Sequence, residues 1–337
     1  MKLSRFHLQS LAFVLVVFLL VAFGPVGSNG DSRRVDPDGR GVVSQTSLTI
    51  NTALQTPSPV YITPEPVLSL LPPKNYELSA GARVLAFAKP QPILPSNLPP
   101  IFHGKSAIVK ELNHGIVLFE QSPEQHWPLA SLTKLMTTLV SLEIFQPEKQ
   151  VTITSEMIVA YGEAGGFSTG EIFSVKDLIK ASLLISSNDA ASALALSSDG
   201  ESFINDMNLR AKELLMNETS FADPTGLSVL NQSTVRDMTK LVQTILSEYP
   251  ELFEYTTNKS VSINEIVSGA QRTIPSNNEF VGQPDFVGGK TGYTDDANGN
   301  LISLFREGDN LFLIIVFGTD DRFGETRALY NWASEIY

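Results

Sequence analysis

The sequence predicts an α/β chain of the α+β type: an antiparallel sheet flanked by helices, with an all-helical subdomain inserted into it. Three observations predict this. Two short apolar runs flank a turn signal near residue 114, and further runs lie close together near the C-terminus, which makes antiparallel pairing economical. Between the two sets, apolar residues recur at the 3.6-residue period of helices. Strands at both ends with helices between them suggest one sheet completed by both termini.

Composition bounds the function. The chain has 337 residues, 42% hydrophobic and 18% charged, as a globular protein has. A net charge of −12 argues against nucleic acid, whose phosphates call for clustered Lys and Arg. There is no cysteine, which removes thiol catalysis, disulfides and thiolate metal sites. The four histidines, His7, His103, His114 and His126, form no His-x-x-Glu-His type cluster, so neither a catalytic zinc site nor another cofactor is expected.

In chain order, Lys2 and Arg5 precede an uninterrupted apolar run over residues 11–23, the pattern of an export signal. No Ala-x-Ala cleavage site follows, so residues 1–27 read as an uncleaved signal-anchor in preference to a removed signal peptide. The remainder is then expected outside the cytoplasm, held at the membrane by this segment, or secreted if the signal is cleaved. Residues 28–100 hold twelve of the twenty prolines and read as a flexible linker. The folded domain is expected over 101–337.

Within it, residues 106–110 and 115–119 flank Asn113-His114-Gly115 and predict a β-hairpin. After Pro128, the spacing of Leu132, Leu135, Met136, Leu139 and Val140 predicts an amphipathic helix buried along one face. Ser131 and Lys134 share a face of it, with Cβ atoms about 5–6 Å apart. A glycine-rich loop at 161–166 leads to a second helix over 175–185, and another helix starts at Ser186-Ser187-Asn188-Asp189. Further helical patterns cover 201–216 and 234–247. Strands are predicted around 285–292, 300–305 and 311–317, and a last helix over 325–336.

Gly166-Phe167-Ser168-Thr169-Gly170 matches the Gly-x-Ser-x-Gly nucleophile elbow, which requires a histidine downstream. Every histidine precedes Ser168, and 161–166 is a poor strand, so Ser168 reads as loop. Without a histidine, a serine can give its proton to a lysine whose pKa is lowered by burial or nearby positive charge. Ser131–Lys134 is the only Ser-x-x-Lys, and Lys290-Thr291-Gly292 the only Lys-Thr-Gly. Ser-x-Asn occurs at Ser186–Asn188, Ser262–Asn264 and Ser276–Asn278. The first lies between the other two motifs at a helix junction; the third is too close to the Lys-Thr-Gly strand to face it across a cleft. Singly, these residues read as a helix cap, a solvated lysine and a strand end. Together and in order they read as a site.

That set resembles the serine-type D-Ala-D-Ala carboxypeptidases, the low-molecular-mass penicillin-binding proteins of peptidase family S11. The likeness covers about 101–337, through Ala130-Ser131-Leu132-Thr133-Lys134-Leu135-Met136-Thr137, Ser186-Ser187-Asn188-Asp189-Ala190 and Gly289-Lys290-Thr291-Gly292-Tyr293-Thr294. Phe221-Ala222-Asp223-Pro224-Thr225-Gly226-Leu227 and Asn277-Asn278 also resemble family signatures. The resemblance implies a β-lactamase/penicillin-binding transpeptidase-like fold, a peptidoglycan stem peptide ending in D-Ala-D-Ala as substrate, and β-lactams as inhibitors. It makes Ser131 the nucleophile, Lys134 its base, and Ser186, paired with Lys290, the proton donor to the departing D-Ala. Asn188 would orient the substrate backbone, Lys290 and Thr291 would receive its carboxylate, and Gly292 would let the peptide approach the strand edge. The N–H groups of Ser131 and Tyr293 would form the oxyanion hole, and Arg322 resembles a family arginine near the carboxylate site. The sequence departs from the family in stopping soon after this core, which leaves the N-terminal run as the anchor. It also has Asn298 where a glycine is usual, expected to be a local loop difference.

Three rivals remain. A D,D-endopeptidase acting on crosslinked peptides would use the same residues. A class A β-lactamase would need a Glu-x-x-x-Asn loop; Glu213 to Asn217 fits that spacing, but 210–216 reads as continuous helix. A wall-binding protein without turnover is disfavoured because every catalytic residue type is present.

Overall fold

The apolar runs from the two ends of the domain meet in one sheet. A computed structural model describes residues 98–158 and 165–337. By its contacts the chain divides into Met1–Val84 and Leu85–Tyr337, and every described residue lies in the second unit. The expected export signal, nearly all of the linker and most of the glycine-rich loop lie outside the described residues.

In chain order the strands are β1 (Ser106–Glu111), β2 (Ile116–Gln121), β3 (Trp127–Pro128), β4 (Gln150–Thr152), β5 (Ile172–Ser174), β6 (Gln232–Ser233), β7 (Ser260–Asn264), β8 (Gln271–Pro275), β9 (Phe286–Thr294), β10 (Asn298–Glu307) and β11 (Asn310–Thr319). The main sheet has the order β2-β1-β11-β10-β9 and is antiparallel throughout. The predicted hairpin is β1–β2, turned at Gly115 with φ +72°. β9, which carries Lys-Thr-Gly, is an edge strand.

Alternation along β10 and β11 explains the layering. Ile302, Leu304, Leu313, Ile315 and Phe317 join the core shared with the helical subdomain. Leu301, Phe305, Phe312, Ile314 and Val316 join a second core on the opposite face. A sheet buried on both faces reads as continuous apolar runs, and 311–317 is one.

The helices are α1 (Lys134–Ile144), α2 (Val175–Leu184), α3 (Asn188–Leu196), α4 (Gly200–Glu213), α5 (Val235–Glu248), α6 (Glu251–Thr256) and α7 (Arg322–Ile336). Ser174, Ser187 and Thr234 start α2, α3 and α5 by accepting from the N–H of Asp177, Ala190 and Asp237. α7 begins three residues earlier than predicted because Asp321 caps it, accepting from Gly324 N–H. α1 is buried all round over its first eight residues, where one buried face was expected. Its hydroxyls make this possible: Thr138 and Ser141 donate to the carbonyls of Lys134 and Thr137, at 2.8 and 2.7 Å.

Two expectations need correction. Residues 210–216 are not continuous helix: α4 stops at Glu213, Leu215 takes a left-handed φ of +57°, and Met216 N–H returns to Ala211 O at 2.8 Å. The β7–β8 hairpin and α6 went unpredicted. Each of those strands buries one residue, Ile263 and Ile274, too few to write a pattern.

Asn298 sits at φ +55° at the start of β10, and its side chain donates to Asp320 Oδ1 at 2.6 Å. The left-handed backbone explains why glycine suits the position and why asparagine, its commonest substitute there, is tolerated. Asn298→Val should destabilise the domain by about 1–2 kcal/mol in urea unfolding, whereas Asn298→Gly should change it by less than about 0.5 kcal/mol.

Candidate active site

The chain reaching Ser131 is tied to the sheet before it turns. Leu129 N–H donates to Asn231 O at 2.8 Å, and fully buried Asn300 donates from Nδ2 to Pro128 O and Leu129 O at 2.8 and 3.2 Å. Asn300 Oδ1 accepts from Gly318 N–H at 2.9 Å, so one side chain joins the segment to β10 and to the end of β11. Ala130 then adopts φ +48°, an uncommon conformation for a residue with a Cβ, costing of order 1 kcal/mol. The backbone enters a 3₁₀ turn, Ala130–Thr133, and only then the α-helix. In a 3₁₀ turn residues i and i+3 eclipse, which brings Lys134 over Ser131.

Lys134 Nζ lies 2.9 Å from Ser131 Oγ. Ser131 is partly exposed, whereas Lys134 is fully buried. The amine also donates to Asn188 Oδ1 at 2.8 Å and to Thr225 O at 2.6 Å. Burial pulls its pKa down to about 7, against an upward pull from Asp223. A neutral amine has two hydrogens and one lone pair. With its hydrogens on Asn188 and Thr225, the lone pair faces the serine hydroxyl.

A second buried amine lies across the cleft. Lys290, on β9, donates from Nζ to Ser186 Oγ at 2.8 Å and to Thr291 O at 2.9 Å. Burial holds its pKa well below the usual lysine value, and the positive charges of Lys134 and Arg322 push the same way. Ser186 falls between α2 and α3, where predicted, with φ +61°. Thr291 Oγ1 donates to Asn277 Oδ1 at 3.1 Å, so Asn277-Asn278 packs beside β9 rather than opposite it.

Glycines let three segments converge here. A Cβ on Gly292 would come within 3.0 Å of Leu129 O and 3.3 Å of Ser131 N. The first need for glycine at that position is therefore the approach of β9 to the Ser131 turn. Tyr293, the next residue along β9, is 59% exposed. Gly226, at φ +88°, would place a Cβ 1.9 Å from Ala130 O. Arg322, the first residue of α7, donates from Nη1 to Gly292 O at 2.9 Å. It lines a cavity of about 290 Å³ with Glu279, Tyr293 and Asn298.

A serine, a buried amine at hydrogen-bond distance, and a second amine with its own serine form a constellation able to carry acyl transfer without histidine. A profile of D-alanyl-D-alanine carboxypeptidases, peptidase family S11, matches residues 95–321. The chain belongs to family S11. The D-alanyl-D-alanine endopeptidase of Pseudomonas aeruginosa is 32% identical over 269 residues, 76% of this chain and 84% of that protein. The D-alanyl-D-alanine carboxypeptidase DacF of Bacillus subtilis is 31% identical over 222 residues, 64% of this chain and 57% of that one. Among solved structures, Listeria monocytogenes penicillin-binding protein D2 in its ampicillin-bound form superposes with a TM-score of 0.61 at 30% identity, over 69% of this chain and 99% of that one. The α+β fold is that of the penicillin-binding proteins, and the S11 chain is a serine-type hydrolase.

The structure brings together all nine S11 residues singled out in sequence, from Ser131 and Lys134 to Arg322. Sequence reasoning missed Thr225 O, Asp223, Asn231 and Asn300. A backbone carbonyl has no sequence signature, and the 221–227 segment resembled the family without revealing what it holds. Ser168 lies in a loop, its N–H donating to Glu171 Oε2 at 2.8 Å. Glu213 pairs with Arg210, which also holds Glu143 and Glu248. Glu143 is near the C-terminal end of α1 and Lys134 begins it, so Glu143 stands about 14 Å along that helix from Lys134, and Glu213 is tied to that far end through Arg210. A deacylating glutamate of the β-lactamase kind is not placed there.

Because Gly226 abuts Ala130, Gly226→Ala should displace the Ser131 turn by about 1 Å. Acylation of Ser131 should slow by about 10²-fold, read as the second-order rate of labelling by a fluorescent penicillin.

Proposed function

We propose that this S11 chain is a serine D-Ala-D-Ala carboxypeptidase that removes the terminal D-Ala from peptidoglycan stem peptides through an acyl-enzyme on Ser131. The observation that carries the reading is the buried Lys134 amine, 2.9 Å from Ser131 Oγ and drawn down to about 7. A base near the working pH is what serine deprotonation needs.

In the reaction, Ser131 Oγ attacks the penultimate D-Ala carbonyl while its proton passes to Lys134. The N–H groups of Ser131 and Tyr293 receive the oxyanion, one such donor being worth about 3–4 kcal/mol. The C–N bond breaks, and the leaving nitrogen takes a proton from the Ser186 hydroxyl, which Lys290 replenishes. As D-Ala departs, Lys134 gives up the serine proton to the cleft solvent and Lys290 regains one from it, which resets both amines. Water then attacks the ester, Lys134 taking its proton and returning one to Ser131 Oγ as the ester C–O bond breaks. The substrate backbone adds to the free edge of β9, with Asn188 orienting it and with Lys290, Thr291 and Arg322 at its carboxylate. Gly292 keeps that edge close to Ser131. A β-lactam would enter the same route and stop at the ester.

A second reading is D,D-endopeptidase action on crosslinked stem peptides. It is favoured by the P. aeruginosa relative named for that activity, of which the chain spans 84%. Either reaction takes place on wall material outside the cytoplasm. Residues 1–27 are proposed as the anchor and 28–100 as the spacer; among the described residues no helix is long and apolar enough to cross a membrane.

Labelled penicillin should acylate the wild type, and Ser131→Ala should abolish the label. A wild type that binds wall fragments but stays unlabelled would instead be a non-catalytic wall-binding protein. The labelling rate should fall about tenfold per pH unit below about 7, because Lys134 must be unprotonated to accept the serine proton. Release of D-Ala from a pentapeptide with a crosslinked dimer left intact supports the carboxypeptidase; cleavage of the dimer supports the second reading.

A further inference from the structure

The Lys134 amine is oriented by a carbonyl on a loop, and one side chain shapes that loop. Asp223 Oδ1 accepts from Thr225 N–H at 2.6 Å, from Thr225 Oγ1 at 2.6 Å and from Gly226 N–H at 2.8 Å. Its Oδ2 accepts from Ser228 N–H at 2.8 Å. Four donors on one carboxylate close the turn over residues 223–228. That turn presents Thr225 O to Lys134 Nζ at 2.6 Å and sets Gly226 against Ala130 O and Ser131 N. The segment is in turn fastened to the α1 side: Asn231 Oδ1 accepts from Ala222 and Asp223 N–H, and its Nδ2 donates to Thr133 Oγ1 at 3.0 Å.

We infer that Asp223 is the positioning residue of the general base, a role that rests on the assignment of Lys134 proposed above. Its carboxylate fixes the carbonyl that aims the amine at Ser131, and its negative charge offsets part of the burial that would otherwise leave the amine too weak a base. The charged groups facing Lys134 are Asp223 from this loop and Lys290 from β9; α3 contributes the uncharged Asn188, and Arg322 acts on Lys290. Asp223 is thus the negative group that opposes the desolvation of Lys134. A base set too low is neutral at every working pH but takes the serine proton poorly, whereas one set too high stays protonated. Asp223 places Lys134 between these limits.

The test is the pH profile of Ser131 acylation by a chromogenic cephalosporin in wild type, Asp223→Asn and Asp223→Glu, with thermal melting as the check on folding. Removing the charge lowers the affinity of Lys134 for its proton. In D223N the acid limb should therefore move to lower pH, by about one unit, a size one nearby charge can produce. The plateau rate should fall at least tenfold, because the Oδ2 acceptor for Ser228 is lost and the base is weaker. D223E keeps the charge, so its limb should stay while its plateau falls. If D223N does not fold, Asp223→Ser carries the same arm, since a hydroxyl closes such turns more weakly and without charge. A limb that stays put in the neutral variant overturns the inference and leaves Asp223 a turn-former only, as does an unchanged plateau. Wild type that is never labelled at Ser131 would instead overturn the assignment of Lys134 itself.

Discussion

A lysine amine kept dry is the constraint on which the rest of the site depends. Moving the Lys134 pKa from 10.5 to about 7 costs the fold on the order of 5 kcal/mol at neutral pH. The sign follows from proton counting. The unfolded chain holds the lysine proton up to about pH 10.5 and the native state releases it near 7, so the cost is full below about pH 7 and fades as pH rises between those values. A penalty of that size is comparable to the whole net stability of a domain. It is tolerated because two faces of apolar packing enclose the sheet and α1 carries the amine into the centre of one of them. The lowered pKa on which the proposed reaction rests and the structural cost come from the same burial.

The second constraint is closeness of backbone. Three segments far apart in sequence, 129–132, 226 and 292, approach until a methyl group at either glycine would collide or crowd. Side chains cannot mediate such contacts, so carbonyls and amides meet directly and the distances are set by peptide geometry. Ala130 and Ser186 complete the arrangement with left-handed φ values where glycine would be easier. Each stores of order 1 kcal/mol and each sits within one residue of a proposed proton-transfer group, which is where such strain tends to persist. Asn300, reaching from the sheet to the carbonyls before Ser131, keeps the strained turn from relaxing.

This division explains what could be read from the sequence. The hairpin, α2, α5 and the C-terminal strands carried their own periodicity, because each buries a regular face. Ser131, Lys134, Ser186 and Lys290 were legible because they meet through their side chains and their order along the chain is restrictive. The β7–β8 hairpin buries one residue per strand and left no pattern, and the start of α7 depended on a cap three residues upstream. The full burial of α1 was hidden because Thr137, Thr138 and Ser141 look polar in sequence, yet Thr138 and Ser141 donate to carbonyls one turn back in the helix and Thr137 donates to Pro224 O. Thr225 acts through a backbone carbonyl that every residue possesses. Gly292 was assigned to substrate access, yet its neighbours are Leu129, Ser131 and Leu132 of the chain itself.

Specificity has to be sought away from this machinery. In the proposed reaction, attack by Ser131, proton capture by Lys134 and carboxylate binding near Lys290 are indifferent to whether the leaving amine belongs to a free D-Ala or to a crosslinked strand. The difference between those substrates begins beyond the leaving nitrogen, where the larger one continues as a second peptide. Around the C-terminal end of β9 that region is framed by Tyr293, Glu279 and Arg322, with Asp320 and Asp321 beyond them. In the proposed reaction the carboxylate of a single D-Ala meets only Arg322 of this frame, whereas a crosslinked strand would continue past it. Apart from Arg322, which is placed at the carboxylate in the proposed reaction, the frame offers a passing peptide carboxylate and phenol groups. In the proposed reaction Lys290 and Gly292, on the face of β9 toward Ser131, serve bond cleavage, while the exposed Tyr293 side chain alternates to the other side and borders the frame that a second peptide would meet.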